Sequence, residues 1–172
     1  MSKIPPKIFK IFNYKKKVIK FKKFKNQNIN KNYLKWINDK DLMKHSRHGQ
    51  NKQDKSTVSK YVKSMKNNWF LIICVKKNKY FKHIGNISVR FYKEDESASI
   101  SILIGSSKFR NIGLGKAIWQ CMMRRLSTIN EIKLIKAGTF YKNSPMIKIF
   151  KQNNMKLSKK KLFINARKNI NR

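Results

Sequence analysis

Residues 110–116 read Arg-Asn-Ile-Gly-Leu-Gly-Lys and follow the apolar run Ala98–Gly105 after a short gap. Glycines at 113 and 115 allow a backbone to approach a ligand closely and to take positive φ. A helix opening after them would add unpaired amide hydrogens and the positive end of its dipole. That combination suits a diphosphate. Two familiar phosphate loops are excluded by single positions. A P-loop needs glycine where Arg110 stands and Ser or Thr where Ala117 stands, and the dinucleotide fingerprint needs a third glycine where Ile118 stands. What is left is Arg-x-x-Gly-x-Gly, which alone reads either as an anion cradle or as a flexible helix entry.

Few other side chains could share the chemistry, because the chain has only seven carboxylates and three histidines. Glu94, Asp95 and Glu96 sit together in a charged turn, while Asn38 and Asp39 read as helix caps. His45, His48 and His83 have no cysteine or carboxylate at metal-ligating offsets, so no metal is expected. Cys74 and Cys121 lie in apolar or helix-like segments rather than in a regularly spaced set. They read as buried thiols in a reducing cytoplasm.

The length of 172 residues fits one domain, expected over 17–172 behind a basic extension at 1–16. The longest uncharged stretches, Trp69–Val75 and Ser97–Ser107, are far shorter than the ~20 apolar residues of a spanning helix, and no leader pattern opens the chain. The formal charge of +36 would ordinarily point to nucleic acid or an anionic surface. Its make-up argues otherwise: lysine outnumbers arginine 36 to 7, whereas bidentate phosphate and base contacts favour arginine. Abundant Lys, Asn and Ile together match a drifted composition, so a nucleic-acid partner is not expected.

The elements that must position the glycine turn follow from periodicity. Val18–Phe24 suits a strand with one wet face, and Tyr33–Met43 two short helices. Residues 56–65 suit an amphipathic helix opened by Ser56 or Thr57. Three antiparallel strands are expected near 69–76, 83–92 and 97–104. After the turn comes a helix with Ala117, Ile118, Cys121, Met122 and Leu126 facing inward, then a strand over 131–140 and a helix from Ser144 with Pro145 in its first turn. A last strand is expected near 161–165.

This order, with Arg-x-x-Gly-x-Gly between strand and helix and an asparagine at 143, resembles the GCN5-related N-acetyltransferase (GNAT) superfamily over roughly 17–165. The resemblance implies an α+β, three-layer fold with a central mixed, mostly antiparallel sheet flanked by helices. Trp36-x-Asn38-Asp39, His83-Ile84-Gly85-Asn86 and the Ile102–Gly105 run look most like the bacterial amino-sugar and RimJ/RimL-like group. In the family, the backbone near Leu103, Ile104 and Gly105 binds the pantetheine arm of acetyl-CoA. Amides of Arg110, Asn111, Ile112, Gly113, Leu114, Gly115 and Lys116 hold its pyrophosphate, and Asn143 matches the asparagine that contacts the arm. Asn143 also reads simply as the cap of the helix at Ser144.

The reaction implied is attack of a neutral amine on a thioester, with backbone amides stabilising the oxyanion. Relatives often carry a Glu base and a Tyr acid at the positions that are Ser99 and Phe150 here. Ser99 therefore holds the catalytic strand position without the base. His48 is a candidate proton relay and Tyr141 a candidate acid, while Arg47 could hold an anionic group. A thiol of pKa near ~8.5 can leave unaided, and amino-sugar amines lose a proton more readily than lysine, so a sugar-like acceptor is favoured. The expectation is a cytoplasmic enzyme acting on a small-molecule amine, anionic nucleotide sugars included. Acetylation of a protein N-terminus or ribosomal protein, a basic nucleic-acid-binding protein that keeps only the fold, and a homodimer stay open.

Overall fold

The computed structural model describes residues 11–46, 49 and 51–170. Its eight strands are β1 (Ile11–Tyr14), β2 (Lys17–Lys23), β3 (Trp69–Lys77), β4 (Tyr80–Tyr92), β5 (Ser97–Ile104), β6 (Leu134–Phe140), β7 (Lys156–Lys160) and β8 (Phe163–Asn169). They form one sheet in the order β1-β2-β3-β4-β5-β6-β8-β7. Helices α1 (Lys31–Asn38), α2 (Lys40–Met43) and α3 (Lys55–Ser64) link β2 to β3. Helix α4 (Leu114–Ser127) links β5 to β6, and α5 (Ser144–Lys151) links β6 to β7. Neighbouring strands pair antiparallel except β5 and β6, which run parallel. The sheet is mixed and mostly antiparallel with helices on both faces, the α+β arrangement expected.

Strand β3 explains the layering. Its run Trp69–Val75 has no polar interruption because both faces are covered. Trp69, Leu71, Ile73 and Val75 enter a core with Ile118, Met122 and Leu126 of α4. Phe70, Ile72 and Cys74 enter a second core with Tyr33 and Ile37 of α1 and Val58 of α3. Each such buried side chain contributes roughly 1.5–3 kcal/mol relative to exposure. In α4 the buried positions Leu114, Ile118, Cys121, Met122 and Leu126 recur at helical spacing, while Ala117 stays half-exposed. No described helix is long and apolar enough to cross a membrane.

Three local readings are corrected. Part of the supposed N-terminal extension is sheet, since Ile11–Tyr14 pairs with Lys17–Lys20 as a hairpin. The chain's end carries two strands rather than one: β7 pairs with β8 and forms the outer edge, with all five of its residues exposed. Helix α3 is capped by Asp54, whose carboxylate accepts the Thr57 amide at 2.7 Å, and not by Ser56 or Thr57. Asp39 does cap α2, accepting from the Leu42 amide at 3.0 Å. Asn38 instead spans two elements, donating to the Gln53 carbonyl and accepting from the Gln53 amide, both at 2.7 Å.

Candidate active site

The parallel pair opens into a fork. Strands β5 and β6 share a ladder only at Ser97, Ala98 and Ser99, opposite Leu134, Ile135 and Lys136. Beyond that point β5 continues to Ile104 on its β4 ladder, and β6 to Phe140 on its β8 ladder. The facing backbone edges, 100–104 and 137–140, therefore have no ladder with each other. Two ion pairs hold the closed end, Lys136 with Asp95 and Lys133 with Glu96. Peptide groups along the open end remain free to bind an extended, amide-bearing ligand arm.

At the mouth of the fork, Gly105 ends β5 directly beneath the Trp36 indole. A Cβ there would lie 2.1 Å from the ring, so only glycine permits the contact. His83 packs edge-on to the same indole at 5.1 Å. Burial lowers the His83 pKa, opposed by hydrogen bonds to Asn86 and the Gly85 carbonyl. The Trp-x-Asn-Asp and His-Ile-Gly-Asn segments thus meet as one packed unit that fixes where β5 stops.

Past a 3-10 turn at Ser107–Phe109, the segment Arg110–Lys116 enters α4. Asn111 takes φ 60° and Gly113 φ 81°, so two left-handed residues flank Ile112. Gly113 is the N-cap residue and supplies no capping side chain. The contrast with the other described α-helices is complete: Asn30, Asp39, Asp54 and Asn143 each accept an amide of the first turn of α1, α2, α3 and α5. Among the described α-helices, α4 alone has no first-turn amide taken by a capping side chain, so the amides of Leu114, Gly115 and Lys116 all stay open at the positive end of its dipole. In the same turn, the Arg110 Nε is buried without a hydrogen-bond partner. These groups fit a diphosphate.

A cavity of about 680 Å³ runs through the fork, within the size range of small-molecule sites. Its walls come from α1–α3, β3, β4, both arms of the fork and α5. Ser99, Ser101, Asn86, Thr139 and Asn143 supply neutral polar groups, and Phe150 and Trp119 close one side with rings 5.5 Å apart. Burial pushes the Tyr33 phenol far up, so it lines the wall as a neutral donor. Lys136 is the lining ammonium. None of the seven carboxylates lines the cavity: Asp39 and Asp54 cap helices and Asp41 lies in the first turn of α2. Asp95 and Glu96 are in ion pairs, and Glu94 and Glu131 are exposed.

His45, just past α2, is the lining group able to change charge near neutral pH. Burial lowers its pKa first, and the Lys44 and Lys142 ammonium groups lower it further. The imidazole therefore favours its neutral form more than a free histidine does. Sequence reasoning named His48, which lies outside the described residues, as a proton relay and did not name His45 for it. The available signal was its position about one turn after Leu42, which lines the same cavity.

The residues nominated from the sequence divide. Ser99 lines the cavity with its register partner Lys136. Leu103 also lines it, while Ile104 packs partly buried against the core. Leu114 is fully buried, so only its amide faces the turn. Asn143 serves as cap, accepting from the Met146 amide at 3.3 Å while donating to Thr139 Oγ1 at 2.8 Å, and it lines the cavity as well. Tyr141 is not brought in: it is exposed, with the Lys142 and Lys159 ammonium groups over its ring at 5.7 and 5.2 Å. His48, with Arg47, lies outside the described residues. Among the described residues no three His, Cys, Asp or Glu side chains converge as a metal site needs.

A family model described as an acetyltransferase (GNAT) domain matches residues 19–156. No curated protein matches the chain in sequence. Among solved structures, a domain from Methanocaldococcus jannaschii DSM 2661 superposes with TM-score 0.77 at 18% identity, covering 88% of this chain and 97% of that one. RimL, a ribosomal L7/L12 alpha-N-protein acetyltransferase solved with coenzyme A, gives 0.73 at 12% identity, covering 94% and 98%. The microcin C7 self-immunity acetyltransferase MccE, solved with acetyl-CoA and AMP, gives 0.72 at 14% identity, covering 88% and 92%.

Proposed function

This chain belongs to the acetyltransferase (GNAT) family, and on that premise we propose that it transfers acetyl from acetyl-CoA to the primary amine of a small cytoplasmic acceptor, an amino sugar or its nucleotide-linked form. The observation that carries the donor half is the start of α4, without a side-chain cap where four other helices have one. Amides from Gly113 to Lys116 would hold the pyrophosphate there. The pantetheine arm would lie in the fork, bonded to the free edge of β5 near Leu103 and Ile104, with Asn143 beside it.

The acceptor half rests on the cavity wall. A lysine or peptide N-terminus is normally met by carboxylates, and none lines this cavity. Neutral hydroxyl and amide groups, with the Lys136 ammonium already paired to Asp95, suit a hydroxylated acceptor instead, phosphate-bearing forms included. The overall charge of +36 attracts such an anion as it attracts CoA. One neighbour of the same fold was solved with AMP beside acetyl-CoA, which supports a nucleotide on the acceptor.

In the reaction, the amine nitrogen forms a bond to the thioester carbonyl carbon and the carbon–sulfur bond breaks. His45 takes the proton the amine sheds, directly or through one water. Amide hydrogens on the β5 edge stabilise the carbonyl oxygen as it gains charge. The thiolate leaves without a donor, in keeping with Phe150 and Ser99 at the two positions where relatives place an acid and a base.

The test follows free-thiol release from acetyl-CoA with a free amino sugar, a nucleotide-diphosphate amino sugar and a peptide with a free N-terminus. The highest kcat/KM is expected for the nucleotide-linked sugar. Turnover of the peptide alone overturns the acceptor reading, and failure to bind acetyl-CoA overturns the donor reading.

A further inference from the structure

The phosphate turn is tied down from a distant part of the chain. Tyr14, the last residue of β1, donates its hydroxyl to the Ile112 carbonyl at 3.2 Å, across 98 positions of sequence. Its ring is half-buried and packs with Phe12 against the core beneath α4. The hydroxyl also fills the space a side chain at 113 would occupy, since a Cβ on Gly113 would lie 2.5 Å from it.

A trans peptide is planar, with its carbonyl and the following N–H pointing to opposite sides. Holding the Ile112 carbonyl toward Tyr14 therefore turns the Gly113 N–H away from Tyr14. The tie matters because the turn does not fix this peptide by itself. Left-handed residues at 111 and 113 flank it, no side chain caps it, and Ile112 is exposed.

We propose that Tyr14 is a positioning residue for the donor: it locks the Ile112–Gly113 peptide with its N–H aimed at the pyrophosphate of acetyl-CoA, so that the N-terminal hairpin completes the donor site. This rests on the reading that the Arg110–Lys116 turn holds that pyrophosphate. Tyr14→Phe keeps the ring and removes only the hydroxyl.

The assay compares acetyl-CoA with acetyl-pantetheine, which has the thioester arm and no diphosphate. In Tyr14→Phe the KM for acetyl-CoA is expected to rise about 3- to 10-fold, the effect of losing one hydrogen bond. Its kcat and the KM for acetyl-pantetheine stay within about twofold, and hydrogen exchange speeds up across 110–116 alone. Equal loss with both donors, or no loss with either, overturns the proposal. A wild-type enzyme that does not distinguish the two donors removes the underlying pyrophosphate reading. A wild type that prefers acetyl-CoA and a Tyr14→Phe variant that keeps the whole preference remove the Tyr14 role alone.

Discussion

Gly115→Glu should raise the stability of the free protein while abolishing most of its affinity for acetyl-CoA. Gly115 lies in the first turn of α4 with ordinary helical geometry, and an added Cβ would meet nothing nearer than Ile104 Cγ1 at 3.9 Å. Replacing glycine by glutamate in a helix gains about 0.5 kcal/mol of propensity, and a carboxylate in the first turn gains a similar amount from the dipole. About 1 kcal/mol in a domain of this size raises Tm by roughly 2–4 °C. The same carboxylate within ~5 Å of a diphosphate costs about 3 kcal/mol at an effective dielectric near 20, a loss of more than 100-fold in affinity. At acetyl-CoA a hundredfold above the wild-type Kd, the ligand raises the wild-type Tm by roughly 5–10 °C. The variant at the same concentration keeps only about 1 °C. Differential scanning fluorimetry with and without acetyl-CoA reads both effects. Gly113→Glu is a poorer probe, because φ of 81° and the Tyr14 hydroxyl 2.5 Å from its Cβ would destabilise the fold as well. A Gly115→Glu protein with raised Tm and an undiminished acetyl-CoA shift refutes the phosphate role of the turn.

Four further outcomes are expected. His45→Gln should lower kcat/KM about 100-fold and remove an acid limb that in the wild type titrates below the ordinary histidine value; an unchanged pH–rate profile would exclude His45 as the base. Asn143→Ala should cost about 1 kcal/mol of stability as a lost cap, whereas Asn143→Asp keeps the capping oxygen and loses the amide donor. Chemical denaturation should therefore leave the aspartate variant near wild type, while its acetyl-CoA affinity falls; equal affinity in both would reduce Asn143 to a cap. Ser99→Glu should not raise kcat more than about threefold, because Lys136, already paired with Asp95, stands opposite in register, and its ammonium holds the new carboxylate ionised as a weak base. A large rate gain there would show that a strand base is what the site lacks. Burial lowers the His83 pKa, so below about pH 6.5 the unfolded chain takes up a proton that the folded chain resists, and stability declines as pH falls. Tm measured from pH 7 to 5 should fall, and His83→Gln should flatten that window.

The turn proposed to hold the donor was legible because its parts are local. Arg110, Gly113 and Gly115 fall in one heptapeptide, and the missing cap of α4 is visible in the glycine itself. The acceptor side was not, because its wall is assembled from elements spread from Tyr33 to Asn165. His45 was not singled out because spacing alone does not decide which residue after a four-residue helix lines a cavity. Strand β1 escaped notice although Phe12 and Tyr14 face inward around an exposed Asn13, since two inward residues amid lysines make too short a period. Strand β7 had no period to read, being exposed along its whole length. Asp54 was missed as a cap because Ser56 and Thr57 offered equally good side chains two and three positions later.

The exposed edge at β7 bears on how this protein avoids aggregation. A free sheet edge offers a row of unpaired backbone groups onto which another copy can add a strand. Here the edge reads Lys-Leu-Ser-Lys-Lys and runs on into Lys161, so two copies meeting along it would set ammonium groups against each other. Repulsion among exposed charges is screened within about 10 Å at 0.1 M salt and within about 3 Å at 1 M. Light scattering on concentrated protein should accordingly stay flat at low ionic strength and rise as salt or a polyanion neutralises the edge. The lysine excess then also determines where the sheet stops growing.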